Sequence, residues 1–484
     1  MSQADVLQRL IHEGDLLLKS GRYAEGEARA RQVLSVQPKN PGAQYLMGLS
    51  ALMQERHADA LAYFDGALRI ERVNPQLHFM AALCQAALGR VEDAIASYRR
   101  ALQYQPEFIE ARANLAYLLE HAGRIDEAAE SYRRALALDP EDWVALNRLA
   151  YCERLLGNGE KSAELLRRAL ALRPGSAATH NELALALLQL GRRDEAIASL
   201  RAAVAADPGL AEGWANLAKL LYVEHLELRE KAARAEGPVP DPSPVIECFD
   251  RLAEFDPGNV EFRYLRDSLA GSRLARPPDE YVETFFDRFA ARFDDRLVQE
   301  LRYAGPEVAA RVLAPHLEGR SGLHVVDLGC GTGLSGSLAR SHAARLVGVD
   351  LSGEMLARAR ARNVYDELAK AEIGDYLGGV TPGSVDLAIA LDVLIYVGAV
   401  ERVFAAAAQA LGQAGLFAFS IEDLGRAGDY ALLPGGRYAH AREYIEASAT
   451  QAGLAVRDST ALVIREEAGR AVDAWMYVLE KRAA

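Results

Sequence analysis

The strongest constraint on the fold of this chain is a repeat of 34 residues that runs through its first half. One series of prolines and one series of glycines follow this spacing, each with a single substituted position: Pro38, Arg72, Pro106, Pro140, Pro174, Pro208 and Gly21, Glu55, Gly89, Gly123, Gly157, Gly191. Glycine favours a turn between two helices, and proline ends the second helix. Because one helix pair cannot bury its apolar face alone, we expect stacked pairs over residues 7–210.

The unit that starts at residue 109 shows the pattern most completely. It reads Asn114-Leu115-Ala116-Tyr117-Leu118-Leu119, then Gly123-Arg124-Ile125-Asp126-Glu127-Ala128, and it ends at Pro140. This pattern resembles the tetratricopeptide repeat. The resemblance implies an all-α superhelix whose inner surface is lined by the first helix of each unit and binds extended peptides or partner helices.

The repeat array is predicted to cover residues 1–271. Six regular units begin near residues 7, 41, 75, 109, 143 and 177, and a seventh begins at residue 211. The proline that ends the seventh unit is displaced to Pro257, which indicates an insertion near residues 226–243. A solvent-exposed capping helix near residues 258–270 should close the array, since end repeats need a polar outer face.

Asparagines recur at two neighbouring positions of the predicted inner helices: Asn114, Asn147, Asn181 and Asn216. An asparagine side chain can both donate to a peptide backbone and accept from it. The resemblance implies that such a ladder docks the main chain of a substrate. Ordinary polar helix faces explain the same residues equally well, so both interpretations stay open.

Beyond residue 271 the repeat stops, and apolar runs bounded by glycines alternate with helical stretches. Residues 272–279 are predicted to form a linker, and residues 280–484 a second domain of α/β class. The alternation predicts a Rossmann-like, mainly parallel sheet with a ligand site at the carboxyl ends of its strands. Seven strands are predicted: His324–Leu328, Arg345–Asp350, Lys370–Ile373, Ser384–Leu391, Leu416–Ile421, Leu454–Ile464 and Ala474–Leu479.

A glycine-rich segment follows the first of these strands. It reads Asp327-Leu328-Gly329-Cys330-Gly331-Thr332-Gly333, and its alternate glycines let a cofactor approach the backbone closely. Residues 331–336 also satisfy the dinucleotide pattern GxGxxG. Asp327 would repel a pyrophosphate, whereas the ammonium and sulfonium groups of S-adenosylmethionine would be attracted to it. Charge therefore favours the methyl donor, with a dinucleotide as the alternative.

Further candidates follow the next strands. Asp350 ends the second strand, where a carboxylate can accept both ribose hydroxyls, and Leu351 and Met355 follow it on a stretch that could pack an adenine. At these positions residues 280–484 resemble the class I S-adenosylmethionine-dependent methyltransferases, and the domain order resembles bacterial methyltransferases that carry tetratricopeptide repeats.

The resemblance implies that the donor is bound by the glycine-rich segment after the first strand, by residues at the ends of the next three strands, and by a lid helix over Tyr281–Gln299. These positions are Asp327, Gly329, Cys330, Gly331, Gly333, Asp350, Leu351, Met355, Asp375, Tyr376, Leu391 and Phe293. Phe293 departs from the family, because several members have tyrosine there.

Candidate catalytic residues lie after the fourth and fifth predicted strands: Tyr396, Tyr438 and His440. A neutral imidazole could act as general base for a hydroxyl or amine acceptor, whereas a carboxylate acceptor needs no base. His440 could instead cap a helix that begins near Ala441, and both tyrosines could be packing residues. Arg437 could pair with an acidic acceptor or with Glu422.

Composition narrows the classes of function further. The formal net charge of −13, without a basic block, counts against a nucleic-acid surface. The 4 cysteines are scattered without disulfide or ligand spacing, so no metal site is predicted. The first residues lack the pattern of a signal peptide, and no apolar run approaches the ~20 residues of a membrane helix. These features predict a cytoplasmic protein.

The repeat array favours a protein or peptide as the substrate, docked on the superhelix and presented to the methyltransferase domain. A small-molecule, sugar or carrier-bound substrate, with the repeats used for assembly, is the first alternative. A non-enzymatic repeat scaffold is the second. Repeat arrays can also self-associate, so a homo-oligomer stays open.

Overall fold

The computed structural model describes residues 2–235, 238–295, 305–433, 435–467 and 470–482. The chain forms two compact units, Met1–Leu220 and Leu221–Ala484. This division comes before the predicted linker at residues 272–279, because the last helices of the predicted array pack within the second unit.

The first unit consists of paired helices whose starts follow the 34-residue period. Five pairs begin at residues 41, 75, 109, 143 and 177, as predicted, and the first pair begins earlier, at Gln3. The helices are α1 Gln3–Lys19, α2 Tyr23–Val36, α3 Pro41–Met53, α4 His57–Leu68, α5 Pro75–Ala87, α6 Val91–Tyr104, α7 Ile109–His121, α8 Ile125–Leu138, α9 Trp143–Leu155, α10 Gly159–Leu172, α11 Ala177–Gln189 and α12 Arg193–Ala206.

The turn inside each pair contains one residue with left-handed backbone conformation. The glycines of the repeat adopt it with φ between 72° and 82°: Gly21, Gly89, Gly123, Gly157 and Gly191. Glycine tolerates this region without steric strain. Glu55, the substituted position of the series, adopts the same region with φ of 58°. The turn geometry is therefore kept even where the glycine is absent.

Small residues allow the two helices of a pair to approach each other. A Cβ atom on Gly48 of α3 would lie 2.7 Å from Cε1 of Phe64 in α4, and Phe64 is fully buried. Ala94, Ala128 and Ala196 are fully buried on the second helices of later pairs. The small residues at period 34 thus set the spacing of the stacked pairs.

The predicted end of the array belongs to the second unit. Helix α13, Ala211–Ala235, crosses the division between the units, and α14, Ser243–Phe255, and α15, Val260–Leu269, follow it. The insertion predicted near residues 226–243 lengthens α13, and residues 236–237 lie outside the described part of the chain.

Helix α15 lies where a polar cap was predicted, but its packing corrects that prediction. Tyr264 of α15 is 1% exposed, and its hydroxyl donates to the carbonyl of Gly436 at 2.9 Å. The ring centroids of Tyr264 and Tyr281 are 4.5 Å apart. The face of α15 that carries Tyr264 is therefore covered by residues of the α/β domain.

The α/β domain is built on one sheet, which has nine strands in the described residues. Strands β3, β2, β1, β4 and β5 are parallel in that order, β9 pairs antiparallel with β5, and β8 pairs antiparallel with β9. The strands are β1 Leu323–Leu328, β2 Ala343–Asp350, β3 Glu367–Lys370, β4 Val385–Ala390, β5 Leu411–Asp423, β6 Tyr430–Leu432, β7 Tyr438–His440, β8 Leu454–Glu467 and β9 Arg470–Lys481. This order is Rossmann-like, as predicted.

Helices cover both faces of the sheet. They are α16 Asp279–Phe289, α17 Phe293–Asp295, α18 Gly305–Leu317, α19 Gly336–Arg340, α20 Gly353–Arg362, α21 Ile373–Gly379, α22 Glu401–Ala410 and α23 Arg442–Gln451. Alternate residues of β5 supply the two cores: Phe417 packs in the cluster that contains Phe404 of α22, and Ala418 in the cluster that contains Leu313 of α18.

Three local predictions were wrong. The sheet has two short strands more than the predicted seven, because β6 and β7 form a hairpin beside the end of β5. The strand predicted over Lys370–Ile373 lies instead at Glu367–Lys370, and Ile373 begins helix α21, whose N-terminus is capped by Glu372 accepting from the amide of Asp375. The lid helix predicted over Tyr281–Gln299 is interrupted by a 3-10 turn at Ala290–Arg292, and residues 296–299 lie outside the described residues.

Replacing Gly48 with alanine tests the close packing of the repeats. The new methyl group would overlap the buried ring of Phe64, so Gly48→Ala should destabilise the first unit by about 1–3 kcal/mol. Gly66→Ala is the matched control, because its nearest neighbour is the end of the flexible Gln44 side chain. Thermal unfolding followed by circular dichroism should show a lower midpoint for Gly48→Ala alone. Equal midpoints in the two variants would contradict this packing.

Candidate active site

A cavity of about 460 Å³ lies at the carboxyl ends of the parallel strands. Its walls come from the glycine loop after β1, the end of β2, the segment between β3 and α21, and the aromatic face of α16. Eight of the twelve donor-binding positions implied by the sequence are among its lining residues: Gly329, Cys330, Gly331, Asp350, Leu351, Met355, Leu391 and Phe293.

The glycine loop approaches the cavity through its backbone. Gly329 and Gly331 have φ of 63° and 55°, a region that favours glycine. A Cβ atom on Gly329 would lie 2.4 Å from Cγ2 of Val393, so a larger residue would displace the wall. The nearest atom to a Cβ on Gly331 is 3.7 Å away, on Phe293. The space beside Gly331 is therefore open toward the cavity.

Asp350 joins the glycine loop to the end of β2. Its Oδ2 accepts from the amide of Gly331 at 2.9 Å, and its Oδ1 accepts from the amide of Ser352 at 2.8 Å. Burial raises the pKa of this carboxyl, and these amide hydrogen bonds oppose the rise. The carboxylate is thus oriented at the cavity wall with lone pairs that can accept further hydroxyl donors.

Asp327 lies beneath the loop, and this position corrects its expected role as a direct attractor of the donor. It is 2% exposed, and its Oδ2 accepts from the hydroxyls of Tyr365 at 2.6 Å and Ser335 at 2.8 Å. Burial raises its pKa to about 6. The ring of Tyr365 fills the space under Gly333 and Gly336, where a Cβ would lie within 3.0 Å of it. Asp327, Tyr365 and Ser335 therefore support the loop from below.

The acidic residue that lines the cavity at the start of α21 is Glu372, whereas the sequence predicted Asp375. Glu372 is 9% exposed and lines the cavity, together with Ala371 and Ile373. Asp375 and Tyr376 lie one turn further along α21, and the Asp375 carboxylate forms an ion pair with Arg402 at the surface. The error arose because the third strand was predicted three residues too late in the sequence. Glu372 comes two residues after the observed end of β3, and this position was the signal that could have identified it.

Helix α16 covers the cavity with aromatic side chains and is fixed by polar contacts. Phe286, Phe289 and Phe293 are lining residues, and Phe286 packs edge-on against Tyr396 with ring centroids 5.2 Å apart. Three acidic residues tie this segment to the domain: Glu283 to Lys370, Asp287 to Ser352, and Asp294 to Arg362 and Thr332. The segment expected to form the lid therefore lies over the cavity and is held there by these contacts.

A cluster of charged side chains lines the cavity beside β4 and β5, and the sequence revealed only part of it. Arg465 of β8 is 2% exposed and pairs with Asp392 at 2.5 Å and with Glu422. Glu422 also accepts from Nε of Arg437 at 3.0 Å. The signal for Arg465 was a single arginine at the end of the apolar run Leu462-Val463-Ile464.

Of the three candidate catalytic residues, the structure brings only Tyr396 to the cavity. His440 is fully buried in β7, and its Nε2 donates to the carbonyls of Val397 at 2.7 Å and Gly398 at 3.1 Å. Burial lowers its pKa to about 4. Tyr438 is also fully buried, with its ring 5.9 Å from that of Tyr430. Both residues therefore pack the β6–β7 hairpin, and His440 is part of a strand instead of a helix cap.

The asparagines of the inner helices contact one another or neighbouring helices. Asn216 donates to Asn181 at 3.0 Å, and Asn147 accepts from Thr179 at 2.7 Å while its own amide donates to a carbonyl within α9. The Asn114 side chain interacts with the phenol of Tyr98. These contacts connect adjacent repeats, so a good part of the polar capacity of the ladder is used within the array.

Comparisons with known proteins agree with both halves of this description. A family model for a methyltransferase domain matches residues 326–419, and one for the tetratricopeptide repeat matches residues 12–75, 68–107, 79–142, 114–177, 156–211 and 181–235. The chain joins tetratricopeptide repeats to a methyltransferase domain. No curated protein matches it.

Several solved repeat proteins are similar to part of this repeat methyltransferase. The protein MamA is 19% identical, with 36% of this chain and 94% of MamA covered and a TM-score of 0.34. YrrB, described as a repeat protein with an unusual peptide-binding site, is 23% identical over 38% of this chain and 90% of its own, with a TM-score of 0.33. The C-terminal part of a repeat protein from Cytophaga hutchinsonii is 13% identical over 52% and 98%, with a TM-score of 0.42. Among the described helices, none has the length and apolar character that a membrane crossing requires.

The burial of Asp327 should make the stability of the methyltransferase domain depend on pH. Its folded pKa of about 6 lies above its ordinary value of 3.8, so the folded state holds the proton more tightly than the unfolded state. The destabilisation is absent below about pH 4, grows as the pH rises and is complete above pH 6, at a size on the order of 3 kcal/mol.

Asp327→Asn removes this titration and keeps an oxygen that can accept from Ser335 and Tyr365. We expect the melting temperature of the variant, relative to the unchanged chain, to be several degrees higher at pH 8 than at pH 5. Asp375→Asn, which removes a carboxylate from an exposed ion pair with Arg402, is the matched control variant. A difference for Asp327→Asn that stays constant over this pH range would contradict the raised pKa.

Proposed function

We propose that this chain is an S-adenosylmethionine-dependent methyltransferase whose repeat array docks its substrate, most simply a protein or peptide. The observation that carries the proposal is the arrangement of Asp350 at the glycine loop. Its carboxylate borders the cavity, next to the open space beside Gly331. A ribose bound there would find an acceptor for its hydroxyls next to a backbone that permits close approach.

The other lining residues fit the remaining parts of the same donor. Leu351, Met355 and Ile373 offer apolar contacts for an adenine, and Glu372 offers an acceptor for its amino group. The aromatic side chains of α16 would exclude water from the transfer. S-adenosylmethionine supplies a methyl group activated by a sulfonium charge.

The charges around the cavity count against the dinucleotide alternative. Asp350 and Glu372 both line the cavity, and Asp327 is buried beneath the glycine loop. A pyrophosphate would meet these carboxylates with like charge, whereas a sulfonium and an ammonium group would be attracted. The acidic surroundings of the loop therefore support the methyl donor.

The repeats support a protein or peptide as the substrate. Six helix pairs of one period create an extended surface, which suits a polypeptide better than a small acceptor. The hydrogen bonds among the asparagines leave some of their donors and acceptors for contacts with a polypeptide backbone. A small-molecule, sugar or carrier-bound acceptor, with the repeats used for assembly, is the second candidate. The cavity and its lining residues disfavour a scaffold without activity.

Donor binding can be tested with a matched pair of aspartates. Asp350→Asn removes a charged acceptor at the cavity and should raise the dissociation constant for S-adenosylmethionine about 10- to 100-fold in calorimetry. The family motif suggested Asp375 as a donor-binding residue, but its carboxylate pairs with Arg402 at the surface. Asp375→Asn should therefore leave the donor affinity unchanged. If Asp375→Asn weakened the donor and Asp350→Asn did not, the assignment of these residues would be overturned.

Removal of repeats can test substrate docking. The second unit includes α14 and α15, so a truncation must leave them in place. Deleting residues 1–176 removes five helix pairs and keeps the last regular pair next to α13. We expect this variant to bind the donor normally and to lose methyl transfer to polypeptides.

The readout is transfer of labelled methyl groups into lysate of a strain that lacks the protein. Label in polypeptides with the full chain, lost on truncation, supports docking by the repeats. Label confined to small molecules, unchanged by truncation, favours the second candidate. Full-length chain that neither binds the donor nor transfers label would contradict the enzyme function itself.

A further inference from the structure

We propose that the methyl acceptor is a carboxylate, which binds to Arg437 and is converted to a methyl ester. The inference rests on the proposed methyltransferase function and adds the chemical class of its acceptor. It starts from four charged side chains whose electrostatic fields all reach the phenol of Tyr396 in the cavity wall: Asp392, Glu422, Arg437 and Arg465.

Arg465 holds this cluster together from within the domain. Its guanidinium pairs with both Asp392 and Glu422, and only 2% of its side chain is exposed. Taking such charges out of water costs several kcal/mol per ion, and apolar residues of similar volume often give equal stability. A buried cluster of this kind at a cavity wall is a weak stabiliser, which points to a role in binding.

Arg437 is the cation of the cluster that a ligand in the cavity can reach. Its side chain is 26% exposed, and it lines the cavity from the turn that directly precedes β7. Glu422 accepts from both guanidinium groups, while Asp392 pairs with Arg465. A carboxylate acceptor would add a charge-assisted contact to Arg437, whereas a protonated amine would meet a like charge.

Two phenols stand near the same guanidinium. Burial raises the pKa of Tyr396 and of Tyr222 to about 12, and the Arg437 charge opposes this rise in both. Both hydroxyls therefore keep their protons at neutral pH. Tyr396, which lines the cavity, can donate a hydrogen bond to an anion there, but neither phenol can take a proton from an acceptor.

A carboxylate acceptor needs no base, which agrees with the contacts of the side chains that could act as one. The Nε2 atom of His440 donates to two backbone carbonyls, away from the cavity. Asp392 and Glu422 are engaged by Arg465. A hydroxyl or protonated amine would have to lose a proton during or before transfer, whereas an ionised carboxylate has none to lose.

The transfer step balances without a proton. A lone pair on one carboxylate oxygen forms the new bond to the methyl carbon, the carbon–sulfur bond breaks, and its electron pair remains on sulfur. The negative charge of the acceptor and the positive charge on sulfur cancel. The ester formed is neutral, so its contact with Arg437 is weaker than that of the carboxylate, which favours release of the product.

The chemistry of the transferred label tests this inference with the full chain. Lysate of a strain that lacks the protein is incubated with methyl-labelled S-adenosylmethionine, and the product is treated with mild alkali. Methyl esters release volatile methanol under these conditions, whereas N-methyl groups and methyl ethers are stable. We expect most of the transferred label to become volatile.

The outcomes separate the inference from the function on which it rests. Label that survives alkali would overturn the carboxylate acceptor and leave the methyltransferase function intact. A chain that does not bind the donor and transfers no label would contradict the function itself.

Substitution of Arg437 assigns the contact. Arg437→Gln should lower transfer at limiting lysate concentration about tenfold or more, with the donor dissociation constant from calorimetry unchanged, and Arg437→Lys should recover part of it. Arg457→Gln, at an exposed ion pair with Glu480, is the matched control and should keep full transfer.

If Arg437→Gln does not fold, the double variant Arg437→Gln/Glu422→Gln removes one charge of each sign and should show the same loss of transfer with normal donor binding. Unchanged transfer in a folded variant, or a loss of donor affinity equal to the loss of transfer, would overturn the assignment of Arg437 to the acceptor.

Discussion

The hydrogen bond from Tyr365 to Asp327 is the contact on which the geometry of the cavity depends. Tyr365 fills the space under Gly333 and Gly336, and its hydroxyl ends on the carboxylate at the end of β1. Ser335 donates to the same oxygen from the other side of the loop. The loop is thereby held against the sheet, and the amide of Gly331 donates to Asp350. The buried Asp327 carboxylate and the two hydroxyls that donate to it thus position a backbone that could not be fixed by apolar packing alone.

The last helices of the repeat array are as much a part of the α/β domain as of the array. Tyr264 of α15 contacts Tyr281 of α16 and donates to Gly436 in the segment before β7. The carbonyl of Ala275 accepts from the amides of both Gly398 and Ala399. The segment predicted as a linker, residues 272–279, is therefore hydrogen-bonded to the α/β domain through Ala275. Helix α16, the lid of the cavity, is continuous with this anchored segment.

The repeat and the parallel sheet could be predicted from the sequence because both depend on local patterns. A fixed period of glycine and proline sets the helix starts within the array, and apolar runs that end in acidic or glycine residues mark the strands. Asp350, Gly331 and Leu391 could be placed for the same reason, since each lies at the end of a strand or shortly after it. These predictions required no knowledge of how distant segments pack.

The residues that could not be predicted are those whose role depends on tertiary contacts. Arg465 belongs to the cavity only because β8 pairs with β9, which itself pairs with β5. His440 was not predicted to lie in a strand, because β7 is only three residues long and is defined by its pairing with β5 and β6. The choice between Asp375 and Glu372 turned on where a short strand ends, and a shift of a few residues there moved the acid from the cavity to the surface.

The placement of the division between the two units also bears on how such a chain can change in evolution. All the residues that line the cavity lie between Arg276 and Arg465, and the anchoring contacts of α15 lie after Leu221. Repeats contact mainly their neighbours in sequence, so whole units of 34 residues could be gained or lost before residue 177 without altering the chemistry. Recognition can thus diversify by duplication while the reaction is conserved.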